Sequence, residues 1–221
     1  MEVSEAILAR KSVRAFLDKP VARETIERIL AVARYAPSGT NTQPWRVAVL
    51  SGESMQQLQQ QIVDHFTANG PGKADYNYYP QQWRAPYIDR RRACGLQLYK
   101  TLGIKKEDKV RQREQWVANY RAFGAPVMLL FFMESDLEAG SYMDYGMFLQ
   151  SIMLAAQGEG LATCPQASVA DFPGVVREFL GYDESMLMLC GIALGYEDTD
   201  ALVNSYRTPR EPLDNFVEYF G

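Results

Sequence analysis

A chain of 221 residues with 47% apolar, 23% charged and 12% aromatic side chains is long enough to bury a full core, which excludes disordered, collagen-like and coiled-coil classes. Its net charge of −4 argues against non-specific nucleic-acid binding, which ordinarily needs a basic domain. Three separated cysteines, Cys94, Cys164 and Cys190, and one histidine, His65, form no disulfide framework or zinc signature and leave only His65 on which a histidine-based triad could rest.

Residues Met1 to Glu5 lack the basic start and apolar run of a secretory signal, and no apolar stretch reaches membrane-spanning length. The expectation is one soluble, cytoplasmic domain over 1–221. Ser4 is positioned to cap a helix ending near Arg10. From about Arg23 to Tyr35, the spacing of Ile26, Ile29, Leu30 and Ala33 predicts a helix with one buried face. Trp45 to Leu50 reads as a strand. Met55, Leu58, Ile62 and Phe66 mark a third helix, stopped at Gly70-Pro71-Gly72. The Tyr-, Pro- and Gln-rich stretch that follows has no period and is read as a substrate or lid loop, over 71–92 at its widest. Helices are expected at about 87–102 and 107–122. Pro126 to Met133 reads as a buried strand. Tyr142 to Glu159 reads as a helix with Tyr145, Phe148, Leu149, Ile152 and Ala156 on one side, and Met186 to Leu194 as a second buried strand. The polar tail from 197 ends in Leu213, Phe216, Val217, Tyr219 and Phe220, an apolar end suited to docking on its own core or on a partner subunit. Few strands among many helices suggest α+β or α/β.

Four segments carry chemical potential. In an extended stretch, Arg10, Ser12 and Arg14 fall on one side, and two guanidinium forks with a hydroxyl suit a phosphate or other anion. The bland alternative is a solvated basic edge. Pro37-Ser38-Gly39-Thr40-Asn41-Thr42-Gln43-Pro44-Trp45 puts donors and acceptors on a stiff frame, with Gly39 available for positive φ. This suits a ligand site, or a turn whose polar groups serve their own backbone. Cys164-Pro165-Gln166-Ala167-Ser168 offers a thiol nucleophile or a buried structural cysteine. Arg207 and Arg210 form a second basic pair. Gly158-Glu159-Gly160 follows a helix instead of a strand, so it does not support a dinucleotide fingerprint. No Walker A, HExxH or GxSxG motif is present.

Together these segments resemble a family. Arg10-x-Ser12-x-Arg14, Ala36-Pro37-Ser38-Gly39-x-Asn41-x-Gln43-Pro44-Trp45, Gly191-x-x-Leu194-Gly195-Tyr196 and Arg210-x-Pro212 are similar, in order and spacing, to the FMN-dependent nitroreductases. Ala125-Pro126, Asp144-Tyr145-Gly146-x-x-x-Gln150 and Gly160-Leu161-x-Thr163-Cys164 resemble one bacterial branch. The likeness runs through essentially the whole chain. It implies an α+β, three-layer fold with a mainly antiparallel central sheet flanked by helices. It also implies an intertwined homodimer whose 197–221 tails embrace the partner, with FMN at the interface.

On the matching positions, the resemblance places Arg10, Ser12 and Arg210 on the FMN phosphate and ribityl chain, with Arg207 as a further phosphate ligand. Lys11 and Gln43 fall within the same cofactor-binding stretches. Arg14 would lie near the N1–C2=O side of the ring, where a cation favours the reduced flavin. Pro37, Ser38, Gly39 and Asn41 would reach the flavin of the partner subunit, while Pro165, Gln166 and Ala167 line the ring. Better-known members carry an acidic side chain where Ala167 stands. The implied reaction passes hydride from NADH or NADPH through flavin N5 to a nitroaromatic or quinone, by a ping-pong cycle that needs no metal and no catalytic side chain. Tyr76, Tyr78, Tyr79 and Trp83 are candidates for the pocket wall, since flat rings suit flat acceptors. Arg84 and Arg90 to Arg92 read as solvated or dimer-facing charge, with a nicotinamide phosphate as the alternative. His65 reads as structural. The competing readings are a flavin-fragmenting or reductively dehalogenating relative, a flavin-storage module without turnover, and a cysteine hydrolase using Cys164.

Overall fold

The computed structural model describes residues 1–221. Seven α-helices surround one sheet: α1 (Val3–Ala9), α2 (Arg23–Ala33), α3 (Gly52–Asn69), α4 (Tyr87–Thr101), α5 (Lys109–Tyr120), α6 (Ala139–Gly158) and α7 (Pro173–Leu180). The strands are β1 (Arg46–Ser51), β2 (Val127–Glu134), β3 (Ala162–Gln166) and β4 (Met186–Gly195), in the order β1-β2-β4-β3. Every pairing is antiparallel. The fold is therefore α+β, as the resemblance implies.

The period of two in β2 sorts the core. Met128, Leu130 and Phe132 face one cluster, with Leu58, Ile62 and Phe66 of α3 and Val176 of α7. Val127, Leu129, Phe131 and Met133 face the other, with Ile26, Ile29 and Ala33 of α2 and Tyr145, Phe148 and Ile152 of α6. Both faces are covered, so the strand is a continuous apolar run instead of an alternating one. α2 and α6 form one layer, the sheet the middle one, and α3, α5 and α7 the other.

Four points need correction. The N-cap of α1 is Glu2, whose N–H donates to the Glu5 carboxylate at 3.1 Å, and Ser4 lies inside the helix. The strand β3 was not foreseen, because Pro165 within it argues against a strand; Pro is tolerated here since β3 is an edge strand. Helix α7 was also not foreseen: its eight residues begin at Pro173 in the first turn and stop at Gly181, φ 68°. The proposed loop 71–92 is shorter than its widest reading, since α4 begins at Tyr87.

Glycines 191 and 195 of β4 have a packing reason. A Cβ on Gly191 would lie 2.9 Å from Val169 Cγ2 and 3.3 Å from the Leu129 carbonyl oxygen. On Gly195 it would lie 2.5 Å from Pro126 Cδ and 3.1 Å from Phe16 Cδ1. Gly195→Ala should therefore destabilise the fold by about 1–3 kcal/mol, the usual cost of overpacking. Thermal or urea unfolding checks this.

Candidate functional site

The two basic segments meet. The chain leaves α1 at Arg10 and runs beside β3, where Ser12 forms a parallel bridge to Thr163 and the Val13 N–H donates to the Thr163 carbonyl at 3.0 Å. Val13 turns inward and is 1% exposed. Arg10, Ser12 and Arg14 line a cavity of about 150 Å³ together with Lys11, Cys94, Tyr206, Arg207, Thr208 and Arg210. The three share one cavity as expected, although Lys11 between them lines it too, and residues almost 200 positions apart converge on one small volume.

The local electrostatics are one-sided. The Arg10 guanidinium is held below its ordinary value by burial, and then by the charges of Arg210 and Arg207. Arg207 donates to the Arg10 carbonyl at 2.7 Å, and Arg210 to the Thr208 carbonyl at 2.9 Å. Arg14 reaches only the Ser12 carbonyl, at 3.4 Å. None of the four is ion-paired, whereas Lys11 is spoken for, with its ammonium 2.7 Å from Glu197 and 2.6 Å from the Asn204 carbonyl. A cluster of donors with no acidic partner is a ready-made anion site.

Asn204 is the residue that the sequence did not flag. It is 3% exposed. Its Oδ1 accepts from the Arg14 N–H at 2.8 Å, and its Nδ2 donates to the carbonyls of Ala15 and Asp198 at 2.9 and 2.8 Å. One amide thus ties the N-terminal basic segment to the start of the tail. Nothing in a lone Asn among acids and prolines announces this.

At the other end of β3 lies a cavity of about 650 Å³. Pro165, Gln166 and Ala167 form one wall, Tyr76, Asn77 and Tyr78 another, and Tyr142, Tyr145, Gly146 and Leu149 of α6 a third, closed by Leu189 and Cys190 of β4. No charged side chain lines it. The α6 contribution follows the helical spacing i, i+3, i+4, i+7, a signal that was present in the sequence. Gln166 is held from below, its Nε2 donating to Asn119 Oδ1 of α5 at 2.6 Å, while its own Oε1 is buried without a partner. Tyr79 and Trp83 do not line the cavity. They pack on each other, with ring centroids 5.6 Å apart, and Arg91 lies 5.8 and 5.0 Å from their ring centres. Arg90 pairs with Glu211 of the tail at 3.0 Å.

The Pro37–Trp45 loop joins neither cavity. Its polar groups largely serve its own backbone: Gln43 N–H donates to Ser38 Oγ at 3.0 Å, and Gln43 Nε2 to the Asn41 carbonyl at 3.2 Å. The buried carboxylate of Asp144 accepts from the Gly39 N–H at 3.1 Å. Trp45 stacks on Phe148, with ring centroids 4.5 Å apart. Positive φ was expected at Gly39; it falls instead at Thr40 (48°), Asn41 (61°) and Gln43 (48°). Thr40 is β-branched, so this is strained backbone, held by the Asp144 and Ser38 contacts. Ser38 is half-buried; Pro37, Gly39, Asn41 and Gln43 stand exposed on the surface of the chain.

Cys164 is not poised as a nucleophile. Burial pushes its thiol up to about 11, against the opposing pull of Arg14 and Arg10. Cys190 is pushed up to about 12 by the same cause. His65 packs edge-on against Phe172 at 5.5 Å.

Comparison with known proteins identifies the family. The sequence model of the Nitroreductase family matches residues 7–196. The chain is 40% identical to a 4-nitrobenzoate reductase of Pseudomonas putida, covering 97% of this chain and 94% of that protein. It is 37% identical to a chloronitrobenzene nitroreductase of Comamonas testosteroni, covering 98% and 96%. The crystal structure of the FMN and NADPH-dependent nitroreductase NfnB from Sphigopyxis sp. strain HMH superposes with a TM-score of 0.97 at 38% identity, over 100% of both chains.

Of the three free thiols, Cys94 is exposed and Cys164 and Cys190 are buried. Iodoacetamide at neutral pH should therefore leave Cys164 and Cys190 unlabelled in the native protein and label all three after denaturation. Peptide mass mapping reads this, and early labelling of Cys164 would contradict its burial.

Proposed function

The chain belongs to the nitroreductase family, and we propose that it is an FMN-dependent enzyme that uses NADPH or NADH to reduce nitroaromatics or quinones. The observation that carries the reading is the guanidinium cluster of Arg10, Arg207 and Arg210 at one end of β3, with an uncharged aromatic cavity at the other.

The residues fit the cofactor. A phosphate needs a small volume lined by donors, and the cluster supplies guanidiniums and the hydroxyls of Ser12, Tyr206 and Thr208. A flat, mostly apolar ring system needs an apolar slot with few polar groups, which Pro165, Gln166 and Ala167 border. When bound, FMN supplies the hydride-transfer chemistry. The chain's own part is to bind, orient and tune. Arg10, Arg207 and Arg210 anchor the phosphate. Arg14 brings a positive charge to the ring side, which favours the reduced cofactor. The β3–α7 connection, fixed from below by Gln166 and Asn119, supports the ring. Ala167 offers backbone contacts and no side-chain charge. Tyr76 and Tyr78 present flat surfaces to an aromatic acceptor. The ring, and against it donor and acceptor, are assigned to the cavity of about 650 Å³. Donor and acceptor using this one space in turn is the ping-pong cycle of the proposal.

The active form is a homodimer. α4 has fifteen residues and none is buried. Ile7 and Leu8 of α1, Met143 and Met147 of α6, and Phe216, Tyr219 and Phe220 of the tail are 40–90% exposed. So much apolar surface on one chain marks a partner interface. In that assembly the exposed Pro37–Gln43 loop reaches the cofactor of the other subunit, and the 197–221 tail packs on the partner.

Losing one charge-assisted contact costs about 1.5–3 kcal/mol, roughly 10- to 150-fold in Kd. Arg10→Ala and Arg210→Ala should each weaken FMN by that factor and leave riboflavin, which has no phosphate, unaffected. Flavin-fluorescence titration of the apoprotein measures both. The wild-type protein should purify yellow and bleach with NADPH or NADH without oxygen. A protein that binds FMN no better than riboflavin would overturn the phosphate assignment.

A second prediction concerns Cys94, which lines the phosphate cavity. FMN should slow its alkylation in the apoprotein several-fold, and inorganic phosphate should do so only at high concentration. Equal alkylation rates with and without FMN would place the phosphate elsewhere.

A further inference from the structure

The wall of the large cavity is set by a device remote from the anion site. In β4 the pairing with β2 slips by one residue: Phe131 faces Cys190 and Phe132 faces Met188, so Leu189 is the extra residue of a β-bulge. The bulge breaks the alternation, and Leu189 and Cys190 both turn to the α2–α6 face of the sheet. Both line the cavity. On the other side of β4, β3 ends at Gln166 opposite Gly191, so residues 186–190 have no strand neighbour there.

The loop before α4 fills that gap with two side chains. Asp75 Oδ2 accepts from the Met188 N–H at 3.0 Å, and the Tyr76 hydroxyl donates to the Leu189 carbonyl at 2.6 Å. Asp75 is in turn gripped by Arg177 of α7, with Nη1 to Oδ2 at 2.5 Å and Nη2 to Oδ1 at 3.2 Å. Arg177 Nη1 also donates to the Met186 carbonyl at 3.1 Å. The two side chains are 15% and 20% exposed, so the pair is shielded and bidentate, unlike an ordinary surface ion pair. Tyr76 then leans on Tyr142 of α6, with ring centroids 5.4 Å apart.

We propose that Asp75, locked by Arg177, is a positioning residue for the aromatic acceptor: the clasp fixes the β4 bulge and holds Tyr76 as the rigid wall of the substrate cavity. Neither side chain of the clasp lines the cavity, so the pair acts through Tyr76, Leu189 and Cys190. The inference rests on the reductase reading for the identity of the ligand, and the geometry of the clasp stands without it.

The test compares Asp75→Asn, Arg177→Met, Arg177→Lys and the Asp75→Asn/Arg177→Met double variant in the FMN-loaded enzyme. With nitrobenzene as acceptor, KM should rise about tenfold in either charge-removing single variant. FMN content and the rate of cofactor bleaching at saturating NADPH should stay within twofold of wild type. The double variant should be no worse than either single one, because the pair acts as a unit, and Arg177→Lys should recover part of the loss. Hydrogen exchange supplies a readout independent of turnover: the amide of Met188 should lose protection in Asp75→Asn, while amides of the buried strand β2 do not. An unchanged KM with a folded, yellow variant would overturn the clasp. So would equal losses of FMN, bleaching rate and KM, which would mark a merely structural contact. A wild-type protein that never binds FMN would defeat the reductase reading alone, and the exchange measurement would still decide the clasp.

Discussion

Ten residues of β4 have only five of β3 beside them, and the site is organised around that shortfall. A strand edge with free N–H and C=O groups must be paired or covered. At the far side of β3, the segment after α1 runs alongside through Ser12 and Val13, which carries Arg10 and Arg14 to the sheet. Beyond the end of β3, Asp75 and Tyr76 attach to Met188 and Leu189. Between these two coverings, at Pro165–Ala167, the edge opens into the large cavity. A longer β3 would pair all of β4 and leave no space there.

The charge balance of the whole chain says little about this site. The net charge is −4, yet four arginines gather without one acid in contact. Lys11, one residue from Arg10, shows the alternative outcome, paired with Glu197 and half-buried. The difference is the acid within reach. Along the extended segment, Arg10, Ser12 and Arg14 face the tail's Arg207 and Arg210, while Asn204 fixes the turn that makes them face it. Arg10 is depressed first by burial and then by the like charges of Arg210 and Arg207, and an anion held among them would oppose both effects.

Much of this was legible beforehand, and the exceptions have physical causes. The periods of α2 and α6 and the apolar runs of β2 and β4 are strong because both sheet faces are buried and the helices have one-sided cores. β3 was missed because Pro165 reads as a breaker, and only its place at the sheet edge makes it acceptable. α7 is short and lies between a 3₁₀ turn and a glycine, so its period has no room to repeat. The basic segments were recognisable by residue type as candidates for anion binding, but their meeting is a long-range contact that no local pattern encodes. The bulge at Leu189 is equally silent in sequence, and with it the reason Asp75 matters. Tyr76 and Tyr78 were picked from composition alone. The structure keeps those two at the cavity and turns Tyr79 and Trp83 onto each other, since a loop rooted at Asp75 and ending at α4 has space for only part of its aromatic content at the wall.

The small cavity is closed by residues 10–14 and 206–210, so the anion site exists only when both ends of the chain are in place. Lys11, Phe16, Leu17 and Asn204 make that closure, through the Glu197 pair, the Phe16–Glu197 bridge and the Leu17 N–H to the Tyr196 carbonyl at 2.9 Å. A ligand bound there favours every state in which the closure is intact over those in which the tail has left. The same tail carries Phe216, Tyr219 and Phe220 outward, 65–90% exposed. Closing the anion site therefore also fixes where the tail presents this apolar surface, so that one arrangement of residues 197–221 serves both.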